Sequence, residues 1–242
     1  MNFSIRTENL KKSFGRVNAL AGVSLDFSAG LLHGLIGSDG AGKTTTLRML
    51  AGLLRPASGE IKYFKDGAPA PFRELRPSLA YMPQQASLYA DLSVTEHLEF
   101  FRALYRLPAE VYAKRSEELL EITRLGKFRD RRAGRLSGGM YKKLGLMCAL
   151  LQSPSVLLLD EPTNGVDPIS RREFWEMLYA LAADKILIIV STAYMDEAER
   201  CSRVHLLDSG LLLGAGEPRA VLAGAGAATF EELFIKKGVG VK

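Results

Sequence analysis

Cysteine is scarce in this sequence of 242 residues: only Cys148 and Cys201 occur, far apart and each among apolar neighbours. So few thiols argue against a secreted disulfide framework and against a cysteine-based metal site. The three histidines, His33, His97 and His205, are scattered, and nothing in the sequence groups them as ligands. We therefore expect free, packed thiols in a reducing cytosol.

Long hydrophobic runs are also lacking. No apolar run approaches the roughly 18 residues needed to cross a bilayer, and the N-terminus lacks a signal-peptide pattern. These absences predict a chain that is neither secreted nor membrane-spanning by itself. The formal net charge of +5 is modest. Such a charge is compatible with work near an anionic membrane surface, but it is too diffuse to favour nucleic acid as a partner.

A glycine-rich stretch between an apolar segment (residues 31–36) and a helix-like segment (46–51) fits the P-loop pattern. Its glycines lack a Cβ, which lets the backbone curl around a phosphate chain with its N–H groups pointing inward. A chance glycine turn is the alternative, and the correct flanks make it the weaker one. The predicted nucleotide-binding residues are Gly37, Ser38, Asp39, Gly40, Ala41, Gly42, Lys43, Thr44 and Thr45.

Two residues of this loop have distinct expected roles. Lys43 is predicted to reach the β- and γ-phosphates of a nucleoside triphosphate, and the Thr44 hydroxyl to take one position on Mg²⁺. Before the loop, residues 3–10 and 23–27 alternate as half-buried strands, with a predicted break at 11–15. Phe14 lies in that break and is a candidate to stack on adenine, although a simple core position is equally compatible with the pattern.

The strand predicted at residues 79–82 ends at Pro83 and is followed by Gln84. A polar residue at such a strand end can reach the metal or the attacking water, so Gln84 is a candidate for both roles; a solvated loop residue is the common alternative. Helical patterns then begin with a capping box at Ser93 and Glu96, and Pro108 is placed as the first residue of the next helix.

A second anion site is predicted within this helical region. Ser137, Gly138 and Gly139 precede an apolar helix, where Ser137 would act as N-cap and the glycine N–H groups would remain available. Further along, the buried-type strand 156–159 ends in Asp160 and Glu161. Asp160 is predicted to hold Mg²⁺ through water and Glu161 to deprotonate the attacking water. A structural cap for the next helix is the alternative role of this acidic pair.

These motifs, in this order, resemble the nucleotide-binding subunit of an ATP-binding cassette (ABC) transporter. The resemblance covers nearly the whole chain: Walker A (37–45), the Q-loop Gln84, the signature 136–140, Walker B (156–160) with Glu161, and a D-loop around Asp167. The signature discriminates, because kinases and GTPases lack it. Several short sequence segments are most similar to those of exporters whose ATPase and membrane subunits are separate chains. Within that class, the chain is similar to the first half of subunits that carry two fused ATPase modules.

The resemblance implies an α/β fold: a P-loop NTPase core with a RecA-like mixed sheet, an antiparallel β-subdomain and an inserted α-helical subdomain. The expected domains are the core at 1–85 and 152–223, the helical signature subdomain at 86–151, and a C-terminal tail helix at 224–242, opened by a capping box at Thr229 and Glu232 and ended by Gly238.

The resemblance also implies ATP and Mg²⁺ as cofactors and a transmembrane permease subunit as partner, docked near residues 84–92. It implies a second ATP-binding module, either a homodimer mate or a paired or fused module, with ATP sandwiched between one P-loop and the other signature. The expected location is peripheral, on the cytoplasmic face of the cell membrane. Nucleic acid is not an expected partner.

Two positions depart from the family pattern. Met140 ends the signature where glutamine is common. Methionine cannot make the return bond of a capping box, and we expect this to cost about 1 kcal/mol of helix stability or less. Ala193 stands where the family has its switch histidine, and its methyl group cannot hydrogen-bond a phosphate.

An ATPase that drives export is the leading hypothesis. A slow, nucleotide-gated module paired with an active one is the alternative favoured by Ala193, and a DNA-repair or translation ABC protein is a third.

Overall fold

The computed structural model describes residues 2–85 and 88–237, and the predictions that fall on Ala86 and Gly238 lie outside these ranges. Strands and helices alternate in the order that the motifs indicated. The strands are β1 Phe3–Phe14, β2 Val17–Phe27, β3 Leu32–Ile36, β4 Ser58–Lys65, β5 Ala68–Ala70, β6 Leu79–Met82, β7 Val156–Asp160, β8 Leu187–Thr192, β9 Arg203–Asp208 and β10 Leu211–Gly216. The α-helices are α1 Lys43–Leu50, α2 Phe72–Leu75, α3 Val94–Tyr105, α4 Ala109–Thr123, α5 Gly138–Leu150, α6 Pro168–Ala183, α7 Pro218–Gly224 and α8 Phe230–Lys236.

The ten strands form two sheets. The larger has the order β10-β9-β3-β8-β7-β6, with parallel pairing from β9 to β6 and an antiparallel β10 at its edge. The smaller is antiparallel, in the order β2-β1-β4-β5. Helices α3 to α5 lie in the chain between β6 and β7. The predicted fold class is therefore confirmed, whereas the proposed domain boundaries stay a prediction.

The central strands β3, β7 and β8 are buried along their whole length. Their nearly continuous apolar sequences suit a parallel sheet that is covered on both faces. Leu157 and Leu159 belong to the core that includes α5 and α6, while Val156 and Leu158 belong to the core that includes α1 and the smaller sheet. This two-sided cover fixes the ends of the parallel strands, where the predicted site residues lie.

Three local predictions are corrected. The predicted break at residues 11–15 is wrong up to Phe14: Lys11 pairs with Ala21 and Lys12 with Leu20, and the turn falls at Gly15 and Arg16. Exposed charged side chains do not interrupt backbone pairing on a solvated antiparallel sheet. Pro108 has extended backbone and is the N-cap of α4, rather than its first residue.

The third correction concerns the start of α8. The Thr229 hydroxyl accepts from the Glu232 N–H at 3.2 Å, as predicted, but the Glu232 carboxylate accepts from the N–H of Ala228 at 2.7 Å instead of that of Thr229. The capping box is therefore one residue out of register on its return bond. At Ser93 and Glu96 both bonds are present, and that capping box is confirmed.

Two of the three histidines are not scattered in space. His33 Nδ1 lies 3.4 Å from His205 Nε2 in the core, because β3 and β9 are neighbours, and both rings contact Phe27. Burial lowers the pKa of His33 to about 4 and that of His205 to about 3. The charge of nearby Arg203 contributes to the lowered pKa of both histidines, whereas the charge of Asp26 acts in the opposite direction on His33.

Because both histidines are buried and neutral, we expect the folded protein to lose stability in acid. Above the ordinary histidine pKa of about 6.5 both the folded and the unfolded chain hold neutral imidazoles. Below it only the unfolded chain takes up the two protons, so the free energy of unfolding falls as the pH drops from about 6.5 toward 4, by about 2 kcal/mol per histidine at pH 5. Urea denaturation near neutral pH and at pH 5 measures this loss of unfolding free energy. A His33→Gln, His205→Gln double variant should show a smaller loss, and an equal loss would contradict the assignment.

Cys148 and Cys201 are buried free thiols, as predicted, and burial raises the pKa of both. Among the described residues, every helix is too short or too polar to span a membrane.

Candidate nucleotide-binding site

The predicted site residues meet at the carboxyl ends of the central parallel strands. The pairing of β3 with β8 places Ile36 beside Thr192, and that of β7 with β8 places Asp160 beside Ser191. The segments that follow these strands therefore emerge at one edge of the sheet, which is where open α/β sheets bind their ligands.

The loop after β3 has the backbone of a phosphate cradle. Gly40 and Gly42 have φ of +80° and +104°, a region that residues with a Cβ seldom adopt. At Gly37 a Cβ would lie 2.2 Å from the carbonyl oxygen of Leu207, so only glycine fits this close approach. The loop ends at Lys43, the first residue of α1, and the unpaired N–H groups of that helix start favour an anion.

Lys43 is the buried cation of the site, with 4% of its surface exposed. Its Nζ donates to the carbonyl oxygens of Gly37 and Ser38 at 2.8 and 3.0 Å. It also forms an ion pair with Glu161 Oε1 at 3.1 Å. The carboxylate offsets the charge of a lysine that would otherwise be buried without a partner. The predicted phosphate-binding lysine and the predicted base are thus in direct contact.

The Glu161 side chain is held by donors on several sides. Besides the ammonium of Lys43 on Oε1, its Oε2 accepts from Gln84 Nε2 at 2.7 Å and from Asn164 Nδ2 at 3.3 Å. Its backbone N–H donates to the carbonyl and hydroxyl oxygens of Ser191 at 3.1 and 3.0 Å. These contacts place the carboxylate, which is 6% exposed, at the wall of the cleft.

Asp160 is fully buried beneath the loop. Its Oδ1 accepts from Thr44 Oγ1 at 3.0 Å and from Ser191 Oγ at 2.7 Å, and its Oδ2 accepts from the hydroxyl of Tyr81 at 3.1 Å. Burial, followed by the nearby Asp160 charge, raises the pKa of Tyr81 to about 12, so that phenol stays a donor.

The Thr44 and Asp160 oxygens fit Mg²⁺, a hard cation that protein sites usually bind through few groups while it keeps several waters. No three histidine, cysteine, aspartate or glutamate side chains come together as metal ligands within residues 2–85 and 88–237. A metal here therefore depends on water and substrate oxygens for the rest of its coordination.

A cleft of about 380 Å³ joins these groups. Its lining residues are Val17, Ala19, Asp39, Gly40, Gly42, Lys43, Thr44, Thr45, Gln84 and Glu161. Of the predicted loop residues, Gly37, Ser38 and Ala41 are not among those that line the cleft. Phe14 does not line the cleft; it is half exposed, with Lys12 Nζ 5.6 Å from its ring, so the core alternative for Phe14 is excluded and the stacking role stays a prediction.

The signature residues lie apart from this cleft. Ser137 caps α5 by accepting from the N–H of Met140 at 3.3 Å, with no return bond from the methionine side chain. Gly139 packs so closely on Ser170 that a Cβ would lie 2.4 Å from that residue. Within the described residues, none of Ser137, Gly138 and Gly139 lines the cleft, so one chain holds two separate candidate anion sites.

Several site residues were missed by the motifs. Asn164 and Ser191 hold Glu161, Tyr81 holds Asp160, and Val17 and Ala19 form the cleft wall on β2. Tyr81, Asn164 and Ser191 each lie within three residues of a predicted site residue, which is their only sequence signal. The partners of Tyr81 and Ser191 are distant in the chain, whereas Asn164 lies three residues from Glu161.

Ala193 follows β8 directly, at the edge where the loop and Glu161 meet. The carbonyl of the preceding Thr192 accepts from the N–H of Gly37 at 3.2 Å, and the side chain of Ala193 is partly exposed. This placement agrees with a role beside the γ-phosphate, which remains a prediction.

We therefore expect Ala193→His to raise the single-turnover rate of ATP hydrolysis by up to about 10²-fold, the scale of one stabilising donor that acts in the transition state. ATP affinity should change little, because the contact strengthens only as charge develops. Rapid-quench measurements of the parent, Ala193→His and Ala193→Leu test this, the leucine variant adding bulk without a donor. A parent as fast as the histidine variant would contradict slow turnover.

Strand β3, its glycine loop and helix α1, with a carboxylate pair at the carboxyl end of β7 in the same sheet, define a P-loop nucleoside triphosphatase. A profile described as ABC transporter matches residues 20–164. The chain belongs to the ABC transporter family, whose ATP-binding subunits are ATPases that generally bind ATP with Mg²⁺.

Curated relatives carry related names. The chain is 48% identical over 230 residues to the probable multidrug ABC transporter ATP-binding protein YbhF of Escherichia coli (strain K12), a match that covers 91% of this chain and 39% of that protein. It is 39% identical over 215 residues to the Nod factor export ATP-binding protein I of Burkholderia lata, covering 88% and 71% of the two chains. The chain thus spans about two fifths of the length of the Escherichia coli relative.

Solved structures agree with the fold. The structure of an ATP-binding subunit of an ABC transporter superposes with a TM-score of 0.82 at 29% identity, covering 96% of this chain and 98% of that one. The cbiO1 protein of Clostridium perfringens, part of the ABC transporter complex cbiONQ, superposes with a TM-score of 0.81 at 26% identity, covering 100% and 96%.

Proposed function

We propose that the chain binds and hydrolyses ATP to drive export through a separate membrane permease, to which it docks at the cytoplasmic face of the membrane. The observation that carries this proposal is the contact of Lys43 with Glu161 at 3.1 Å inside the glycine-loop cleft. In this proposal, the contact joins the cation that would bind phosphate to the carboxylate that would act as base. The names of the relatives, multidrug transport and Nod factor export, support the export direction.

In this proposal the residues of the cleft bind the phosphates, hold the metal or activate the attacking water. Lys43 and the loop N–H groups bind the phosphates, and Thr44 and Asp160 would hold Mg²⁺, which supplies charge neutralisation on the phosphate oxygens. Gln84 and Glu161 orient the attacking water. The oxygen of this water bonds to the γ-phosphorus and the bond from that phosphorus to the β–γ bridging oxygen breaks. One water proton passes to Glu161, the other stays on the new phosphate group, and ADP and inorganic phosphate leave.

The two separate anion sites favour work as a pair of modules. The signature at the start of α5 does not line the cleft of its own chain, yet it presents N–H groups suited to a phosphate. Head-to-tail pairing would bring the cleft of one module against the signature of another. The mate is a second copy or another ATP-binding module.

Purification of the tagged chain from its native membranes in mild detergent tests the proposal. We expect an integral membrane protein to co-purify with it, and that protein to stimulate ATP hydrolysis by the chain. Retention of nucleic acid instead, or recovery of the chain alone in every nucleotide state, would contradict the transport assignment.

A further inference from the structure

Lys142 on α5 is a half-buried lysine that binds no carboxylate directly. No side-chain oxygen of an acid lies within ion-pair distance of its Nζ in the part of the chain that the structure describes. The Nζ instead donates to two backbone carbonyl oxygens, that of Gln84 at 2.7 Å and that of Glu161 at 3.4 Å. Burial lowers the pKa of Lys142, while the more distant charges of Glu161 and Asp160 raise it. Burying an ammonium group is unfavourable unless it is hydrogen-bonded, so these two contacts account for its position.

Both carbonyls belong to residues of the cleft. Gln84 follows the end of β6 and Glu161 follows the end of β7, and the Gln84 side chain itself donates to the Glu161 carboxylate at 2.7 Å. Lys142 therefore contacts the backbones of the two residues that are proposed to orient the attacking water.

Glu161 has a backbone that needs support. Its φ of +44° lies in the left-handed region, which costs a residue with a Cβ on the order of 1–3 kcal/mol. Its N–H is fixed by two bonds to Ser191, at 3.1 Å to the carbonyl and 3.0 Å to the hydroxyl. Its carbonyl is fixed by Lys142. Because φ and ψ lie between these two groups, holding both fixes the direction in which the side chain leaves the backbone.

From these contacts we propose that Lys142 is a positioning residue for Glu161. It holds the strained backbone of the base and links it to α5, the helix whose N-cap is the signature residue Ser137. The role in hydrolysis rests on the proposed function, because it presumes that Glu161 is the base.

The test compares four proteins: the parent, Lys142→Met, Lys142→Arg and Lys114→Met. Methionine keeps the length of Lys142 and removes its donors, arginine keeps a cation with donors, and Lys114 is an exposed lysine on α4 whose replacement is the matched control. We expect Lys142→Met to slow single turnover by about tenfold to a hundredfold, the loss that a misplacement of about 1 Å produces. ATP affinity and melting temperature should stay close to those of the parent. Lys142→Arg should recover most of the rate, and Lys114→Met should match the parent.

A second comparison separates positioning from general structural support. In a Glu161→Gln background, Lys142→Met should slow the residual turnover no further, because the residue acts through the base. Parent-like turnover by Lys142→Met overturns the proposal. An equal slowing in both backgrounds also overturns it.

Amide hydrogen exchange tests, without any ATP hydrolysis, whether Lys142 holds the backbone of Glu161. Lys142→Met should speed exchange in the peptide 156–164, which contains the Glu161 N–H, and leave the rest of the protein unchanged. Unchanged exchange in that peptide overturns the inference. A parent that lacks turnover overturns the proposed function instead, so the two failures are distinguishable.

Discussion

Replacing Lys43 by alanine is expected to abolish ATP binding. Among the described residues, the substitution removes the one full positive charge that lines the cleft, and with it the charge-assisted bonds to the β- and γ-phosphates. The structure adds a second consequence. Without the ammonium, the described side-chain donors to the Glu161 carboxylate are Gln84 and Asn164, and an unpaired negative charge faces the phosphates. Isothermal titration calorimetry with ATP and Mg²⁺ measures the loss.

The control for this variant is Lys127→Ala, which removes an exposed lysine from the helical region. Its ATP affinity should equal that of the parent. Because Lys43→Ala also breaks a buried ion pair, circular dichroism must show that the variant is folded. A folded Lys43→Ala protein with unchanged affinity would remove the basis for the P-loop assignment.

Replacing Glu161 by glutamine should slow hydrolysis by about 10²–10⁴-fold, the usual contribution of a general base. ATP affinity should be preserved or raised. In the parent, the Lys43 ammonium is paired with Glu161 Oε1 at 3.1 Å, and an amide at that position carries no charge to compete with the phosphates. The variant should also prolong an ATP-held dimer, either with itself or with a partner module.

Rapid-quench kinetics and size-exclusion chromatography measure these two effects. Glu176→Gln is the matched control, because Glu176 is an exposed glutamate on α6 whose contact is a surface pair with Arg172. Hydrolysis by Glu161→Gln at the parent rate would reduce Glu161 to a structural role. Loss of binding in this variant would mean that the carboxylate shapes the cleft itself.

Local rules predicted much of the fold. The strand 79–82 and the capping box at Ser93 were confirmed because each depends on neighbours in sequence. The end of β1 was missed for a physical reason: its last residues are mostly exposed and polar, yet their backbone pairs with the first half of β2, which the predicted strand 23–27 did not include. Periodicity reports burial, and an exposed hairpin end has little of it.

The contacts of the candidate site were less predictable than its members. Glycine spacing and paired acids located Lys43 and Glu161, but their ion pair joins residues that are 118 positions apart. The bonds from Lys142 to the Gln84 and Glu161 carbonyls depend on how α5 packs against the sheet. The same holds for the His33–His205 pair, which forms because β3 and β9 are neighbours in the sheet. Sequence patterns identify reactive residue types, whereas sheet order decides which of them meet.

Single-turnover hydrolysis of ATP by the purified chain in excess over nucleotide tests the central claim most directly. We expect the parent to convert ATP to ADP in the presence of Mg²⁺, slowly because of Ala193 but well above the Lys43→Ala variant, and to stop when the metal is chelated. Product formation by the parent that equals the Lys43→Ala background, with Mg²⁺ present and ATP bound, would contradict the account.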